Sequence, residues 1–362
     1  MSQKVVAVGM SGGVDSSVCA YLLKQQGYRV IGLFMKNWEE DTCTATQDFE
    51  DVVRVCEKLD IPYYSFNFAK EYKDRVFNSF LEDLKKGLTP NPDILCNREI
   101  KFDVFFKKAK QLGANFLATG HYAQISNYNL VKGKDSNKDQ SYFLYTLKSH
   151  ILKEVLFPIG HLLKDDVRKI AKKADLPVHN KKDSVGICFI GKRNFSNFLS
   201  KFIGYNPGNF ENLKKQIIGK HQGCAYYTIG QRKGLKIGGE GEAWFVVDKD
   251  IKRNVVIIEQ GSEHPSLFSN YLIADQITWV QNPPKFPFKG TAKIRYRQTD
   301  QECEITQIEN EKLLITFKEP QRAITLGQSL VIYNKDICLG GGIIKEKGPS
   351  LFHLNKELQN TF

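Results

Sequence analysis

The stretch VVAVGMSGGVDSSVCAYLL, residues 5–23, joins an apolar β-type run to an apolar helical pattern through a break rich in glycine and serine. Strand, glycine-hydroxyl loop and helix in succession aim backbone N–H groups and a positive helix end at an anion such as phosphate. The common loop G-x-x-x-x-G-K-[ST] supplies a lysine for that purpose. Here Gly9, Met10, Ser11, Gly12, Gly13, Val14, Asp15 and Ser16 offer an acid and no base. An acid beside a polyphosphate is repulsive unless a divalent cation lies between them, so the loop predicts a nucleotide accompanied by Mg²⁺. The plainer alternative is a strand-to-helix turn capped by Asp15 and Ser16.

Outward from the loop, apolar runs over 4–9, 29–35, 63–68 and 116–120 alternate with helical periods over 15–26, 46–59, 70–86 and 98–112. Such alternation predicts an α/β fold with a parallel sheet covered on both faces and ligands at the carboxyl ends of its strands. Residues 124–138 read as a polar hairpin or excursion, and 164–175 as another helix. A turn-rich boundary near Gly204–Gly208 precedes a small mixed section with strands over 243–248 and 254–261. The runs TAKIRYRQ, ECEITQIE, KLLITFKE, QSLVIYN and CLGGGIIKE then predict a C-terminal β-barrel. The expected domains are 1–204, 205–272 and 273–362.

Bulk properties narrow the class. Hydrophobic residues at 41% and charged ones at 25% suit a soluble globular chain. No apolar run approaches ~18 residues and no basic-then-apolar leader is present, which predicts a cytoplasmic protein that does not meet a membrane. None of the eight cysteines falls in a C-x-x-C pair, so neither a zinc site nor a disulfide framework is expected. The formal charge is +12, and KFPFKGTAKIRYR (285–297) holds five cations, three aromatics and no acid. That combination suits phosphate contact and base stacking on RNA.

Two cysteines have unusual settings. Cys96 follows N-P-D-I-L, a turn-forming backbone ahead of a helix expected near Arg98, where a thiolate is favoured. Cys188 lies in D-S-V-G-I-C-F-I-G, an apolar segment between glycines that reads as a movable loop. Taken singly, each also reads as an inert core thiol.

The loop S-G-G-V-D-S-S resembles that of the PP-loop ATP pyrophosphatases, which have an adenine nucleotide α-hydrolase-like fold. The blocks LFMKNW (33–38), TPNPDILCNREIKF (89–102), ATGHYA (118–123), KDQSYFL (138–144), KKDSVGICFIG (181–191), YTIGQRKGL (227–235), RYRQ (295–298) and LGQSLVIY (326–333) follow in order. Together they resemble the tRNA-specific 2-thiouridylase family along the whole chain. The resemblance implies adenylation of the C2 oxygen of wobble uridine 34, then sulfur transfer from a cysteine persulfide, giving 2-thiouridine, AMP and pyrophosphate. It implies ATP contacts at Gly9 to Ser16, Met35 and Gly120, with Cys96 as nucleophile and Cys188 as persulfide carrier. It further implies tRNA contacts at Asn91, Pro92, Asp93, His121, Lys138, Asp139, Gln140, Arg295, Tyr296 and Gln328. No protein metal site is implied, and a cysteine desulfurase or sulfur-relay protein is the expected donor. A PP-loop ligase acting on a small acid explains the loop alone, and a non-catalytic RNA-binding protein explains the charge alone.

Overall fold

The computed structural model describes residues 3–38, 45–183 and 195–360. The N-terminal sheet holds five parallel strands in the spatial order Tyr63–Asn67, Arg29–Lys36, Val5–Met10, Phe116–Ala118 and Val155–Leu156. The strand order therefore reverses between Val5–Met10 and Phe116–Ala118. At such a switch point a crevice opens outside the carboxyl ends of the strands. The loop after the first strand and the residues after the fourth flank that crevice. Val6, Ala7, Val8, Leu33 and Leu117 have no exposed surface because helices cover both faces. Val6 and Val8 pack with Val18 and Val55 on one face, whereas Ala7 and Leu33 pack with Phe105 and Ala109 on the other.

The helix expected to begin near Arg98 begins earlier. Asn91 is its N-cap, with Oδ1 accepting from the Asp93 N–H at 3.1 Å, and buried Pro92 is its first helical residue. It runs through Pro92–Leu95, a π-helical Cys96–Phe105 and Phe106–Gln111. Asparagine then proline is a start signal for a helix as well as a turn signal, and burial of Ile94 and Ile100 decides between the two.

The central section is a four-stranded sheet in the order Trp244–Asp250, Val255–Gln260, Gly208–Glu211, Ile217–His221. Beyond it, Phe268–Trp279, Leu313–Arg322, Gln301–Gln307, Phe288–Lys293, Ser329–Asn334 and Ile337–Lys347 pair antiparallel in that order. The first also pairs with the last, closing a six-stranded barrel. The strand predicted over RYRQ stops at Lys293. The Ile294 N–H donates to Gln298 Oε1 at 2.9 Å and the Gln298 N–H to the Arg295 carbonyl at 3.2 Å, folding Arg295–Gln298 into a turn. The polar excursion is a hairpin, Ala123–Ser126 and Asn129–Lys132, whose second strand extends the barrel sheet beside Ile337 and Cys338. The α/β half and the barrel thus share a sheet.

Between the N-terminal part and the central section, the largely buried Lys249 donates to the carbonyls of Gly87 and, at 3.1 Å, Tyr227. Burial holds this ammonium down to about 8. A lysine lowered in the folded state makes the unfolded chain bind more protons, so the penalty is full below pH ~8 and fades toward the unfolded value. Lys249→Met removes the titration. The stability of the wild type relative to this variant therefore rises by roughly 2 kcal/mol between about pH 7.5 and about pH 9.5. Urea denaturation of both proteins at the two pH values checks this, and a constant difference contradicts it.

Candidate active site

The helix Val14–Gln25 has Gly13 as its N-cap and no side-chain cap, so neither Asp15 nor Ser16 caps it. The Ser16 and Ser17 hydroxyls turn back to the Gly13 carbonyl at 3.2 and 2.8 Å, and Ser16 Oγ accepts from the Ser11 N–H at 3.2 Å. Met10 and Val14 are buried side chains, so they present only backbone to the crevice. Gly12 has φ +70°, and a Cβ there would lie 2.4 Å from the Asp48 carbonyl oxygen. A Cβ on Gly120 would lie 3.0 Å from the Ser16 nitrogen. A side chain at Gly12 would strike the neighbouring helix, one at Gly120 would crowd the loop's N–H groups, and the first-turn N–H groups have no intrahelical acceptor. The donor set fits a phosphate.

The base absent from the loop arrives from elsewhere. Lys164 is 8% exposed and donates to both carboxylate oxygens of Asp15 at 2.6 and 2.8 Å. Tyr122 donates its hydroxyl to the same carboxylate at 2.9 Å. Lys164 also pairs with Asp183 at 2.9 Å, which Lys138 and Arg168 hold at 2.7 and 2.6 Å. Burial pushes the Asp183 carboxyl up, but hydrogen bonds from Lys138 and Lys164 outweigh it and hold it down to about 2. Lys181 donates to the Gly12 carbonyl at 3.0 Å and to Asp48 at 2.7 Å. Sequence reading missed Lys164 because it stands 149 residues from its partner, on what reads as an ordinary charged helix. Among the described residues no group of three or more His, Cys, Asp or Glu is placed to hold a metal.

Met35, near the end of its strand, is partly buried against the core under the sheet. Cys96 is 1% exposed, one turn inside its helix. The segment before it is clamped to the barrel. Gln328 Nε2 donates to the Thr89 carbonyl at 2.6 Å, and the Thr89 N–H to the Leu326 carbonyl at 2.9 Å. Cys188 lies outside the described residues. Burial pushes up the thiols of Cys19, Cys56, Cys224, Cys303 and Cys338, with Cys56 and Cys303 reaching about 12.

The remaining candidates divide by environment. His121 is buried between Phe102 and Phe157, its Nδ1 2.8 Å from Thr119 Oγ1, and burial together with Lys101 keeps it neutral. Asp139 is buried and accepts from the N–H groups of Gly133 and Ser141 at 2.9 and 3.1 Å, so it shapes the loop. Gln140 Oε1 accepts from the Tyr122 N–H at 3.0 Å, which links this loop to Asp15 through Tyr122. Tyr296 lies 4.4 Å, centroid to centroid, from the Phe143 ring. Arg295 turns inward, donating to the carbonyls of Ile229 and Ala323 at 3.1 and 2.6 Å. Hydrogen bonds and ion pairs thus join the phosphate loop, Lys138, Gln140 and Tyr296 in one network, whereas Arg295 and Gln328 have inward structural partners.

A glycine cradle at the switch point of a parallel sheet, joined to a closed β-barrel, defines an α/β protein of the nucleotide-binding class with an appended barrel. The family description tRNA methyl transferase HUP domain matches residues 4–192, the PRC-barrel domain of that name residues 196–260, and the aminomethyltransferase beta-barrel domain residues 269–344. The tRNA-specific 2-thiouridylase MnmA of Protochlamydia amoebophila is 57% identical over 99% of this chain and 97% of its own. Those of Geobacillus kaustophilus and Listeria innocua are each 54% identical over 96% of both chains. The chain belongs to the tRNA-specific 2-thiouridylase family.

Proposed function

We propose that this chain is a tRNA-uridine 2-sulfurtransferase that replaces the C2 oxygen of the wobble uridine with sulfur at the expense of ATP. The observation that carries this reading is the phosphate cradle joined through Asp15, Tyr122 and Gln140 to the loop of Lys138. The matched domain descriptions speak of methyl transfer. Methyl transfer from a sulfonium donor has no use for a polyphosphate cradle, and sulfur transfer to a carbonyl carbon does.

The chemistry follows from the leaving group. Oxide is a very poor one, so the C2 oxygen attacks the α-phosphorus of ATP and pyrophosphate departs. Backbone N–H groups of Gly12 to Ser16 and the Lys164 ammonium hold the phosphates, and Mg²⁺ supplies further charge neutralisation when it comes with the nucleotide. Met35 and Gly120 border the adenosine. The uridine leaves the anticodon stack to reach Asn91, Pro92 and Asp93. Sulfur then reaches C2 from a persulfide on Cys188, by direct attack or as hydrosulfide freed when the Cys96 thiolate attacks the persulfide. AMP leaves with the original oxygen, and thiolate attack on the sulfur–sulfur bond ends in a Cys96–Cys188 disulfide that external thiols must reduce. Lys138, Gln140, Tyr296 and the wider barrel seat the RNA near the buried His121, and a cysteine desulfurase or relay protein loads Cys188 in the cytoplasm. Among the described residues no helix is long and apolar enough to cross a membrane.

The test is an unmodified tRNA transcript incubated with ATP, a desulfurase and cysteine. The expected product carries the mass increment of one oxygen exchanged for sulfur at the wobble uridine, with one pyrophosphate per thiolation. Pyrophosphate release that ignores tRNA supports the small-acid ligase instead.

A further inference from the structure

Asn97, the residue after Cys96, is 2% exposed. Its Nδ2 donates to the Phe143 carbonyl at 3.0 Å, while its buried Oδ1 has no hydrogen-bond partner among the described residues. Phe143 ends the turn that follows Lys138–Gln140. Its ring packs on Tyr296, whose hydroxyl donates back to the Lys138 carbonyl at 3.4 Å. In the same turn, Tyr142 donates to the Ser329 carbonyl of the barrel at 2.8 Å. A single buried amide therefore joins the helical turn of Cys96 to the segment and ring that face RNA.

Two features argue that this amide serves the site rather than the core. A buried acceptor without a partner carries an uncompensated desolvation cost, which an apolar side chain of similar shape would avoid. Cys96 itself is 1% exposed, so its surroundings must rearrange before its sulfur can meet a substrate. We propose that Asn97 is a positioning residue: it couples the Lys138–Phe143 segment and Tyr296 to the turn of Cys96, so that bound RNA sets the position and access of the thiol. This rests on the reading of Cys96 as nucleophile and Tyr296 as part of the RNA surface.

The test uses the full-length chain with Asn97→Leu, which is close in shape and removes both the donor and the stranded acceptor. A purely structural role predicts a lower Tm and a kcat loss that follows it. Coupling predicts a Tm at or above the wild-type value and a KM for tRNA within about twofold, with kcat for thiolation down by about 5- to 100-fold. The rate of Cys96 alkylation by iodoacetamide, followed by peptide mass spectrometry, should change on adding tRNA to the wild type and not to the variant. Phe143→Leu, which keeps the carbonyl and its bond to Asn97 but removes the ring on Tyr296, should lose the same response. A wild-type kcat in Asn97→Leu, or a wild-type alkylation response to tRNA in both variants, overturns the proposal. Normal thiolation by Cys96→Ser, or normal tRNA affinity in Tyr296→Leu, would instead remove the reading beneath it.

Discussion

Cys96→Ser is expected to lose thiolation by roughly three orders of magnitude or more, measured by mass spectrometry of the tRNA, while still releasing pyrophosphate, binding tRNA and accepting sulfur from a desulfurase. Serine preserves the shape of the residue and removes the soft, easily ionised sulfur on which attack at a persulfide depends. Because Cys96 is buried, the exchange also carries a packing and polarity cost of ~1–3 kcal/mol, which a thermal midpoint separates from the chemical effect. Cys188→Ser should bind both substrates but take no ³⁵S label from a loaded desulfurase. Cys19, Cys56, Cys224, Cys303 and Cys338 are buried thiols whose ionisation is suppressed. Their serine or alanine variants should keep activity and lose only packing energy. Normal loading of Cys188→Ser would mean that another cysteine carries the sulfur.

The parts of this molecule legible in the sequence are those set by local pattern. The run VVAVG, the glycine break and the following helix were readable because strand burial and loop geometry both leave marks within twenty residues. The barrel was readable from five short alternating runs. Its twelve-residue strand Phe268–Trp279 was not, because that strand changes partners along its length and bends at register shifts, which blurs a period of two. Asn91-Pro92 was read as a turn when it begins a helix, since the same dipeptide serves both and only tertiary burial chooses. Arg295 stood as a tRNA contact on the family resemblance alone, and no local pattern shows that its guanidinium donates to the carbonyls of Ile229 and Ala323. Lys164 could not be found at all, because nothing local distinguishes it from Lys169 or Lys172 on the same helix; only the strand order brings it to Asp15.

That pairing leads to the second large effect. Lys164→Met is expected to lower tRNA-dependent pyrophosphate release by roughly 10²–10³-fold while leaving tRNA affinity nearly unchanged. Negative charge grows on the departing pyrophosphate, and Lys164 is the cation that the fold holds, largely desolvated, at the acid of the phosphate loop. The substitution leaves Asp183 with Lys138 and Arg168, and leaves Asp15 with the Tyr122 hydroxyl, so the fold should survive. Asp15→Ala should also abolish pyrophosphate release, and the double variant tells why. If Asp15 acts only by holding Lys164 in place, Asp15→Ala with Lys164→Met is no slower than Lys164→Met alone, because residues acting as a unit are not additive. If Asp15 also draws Mg²⁺ to the nucleotide, the double variant falls further, and the Asp15→Ala single variant recovers partly at raised Mg²⁺. Wild-type pyrophosphate release by Lys164→Met would leave Lys164 a structural counter-ion and return the charge problem at Asp15 to the metal alone.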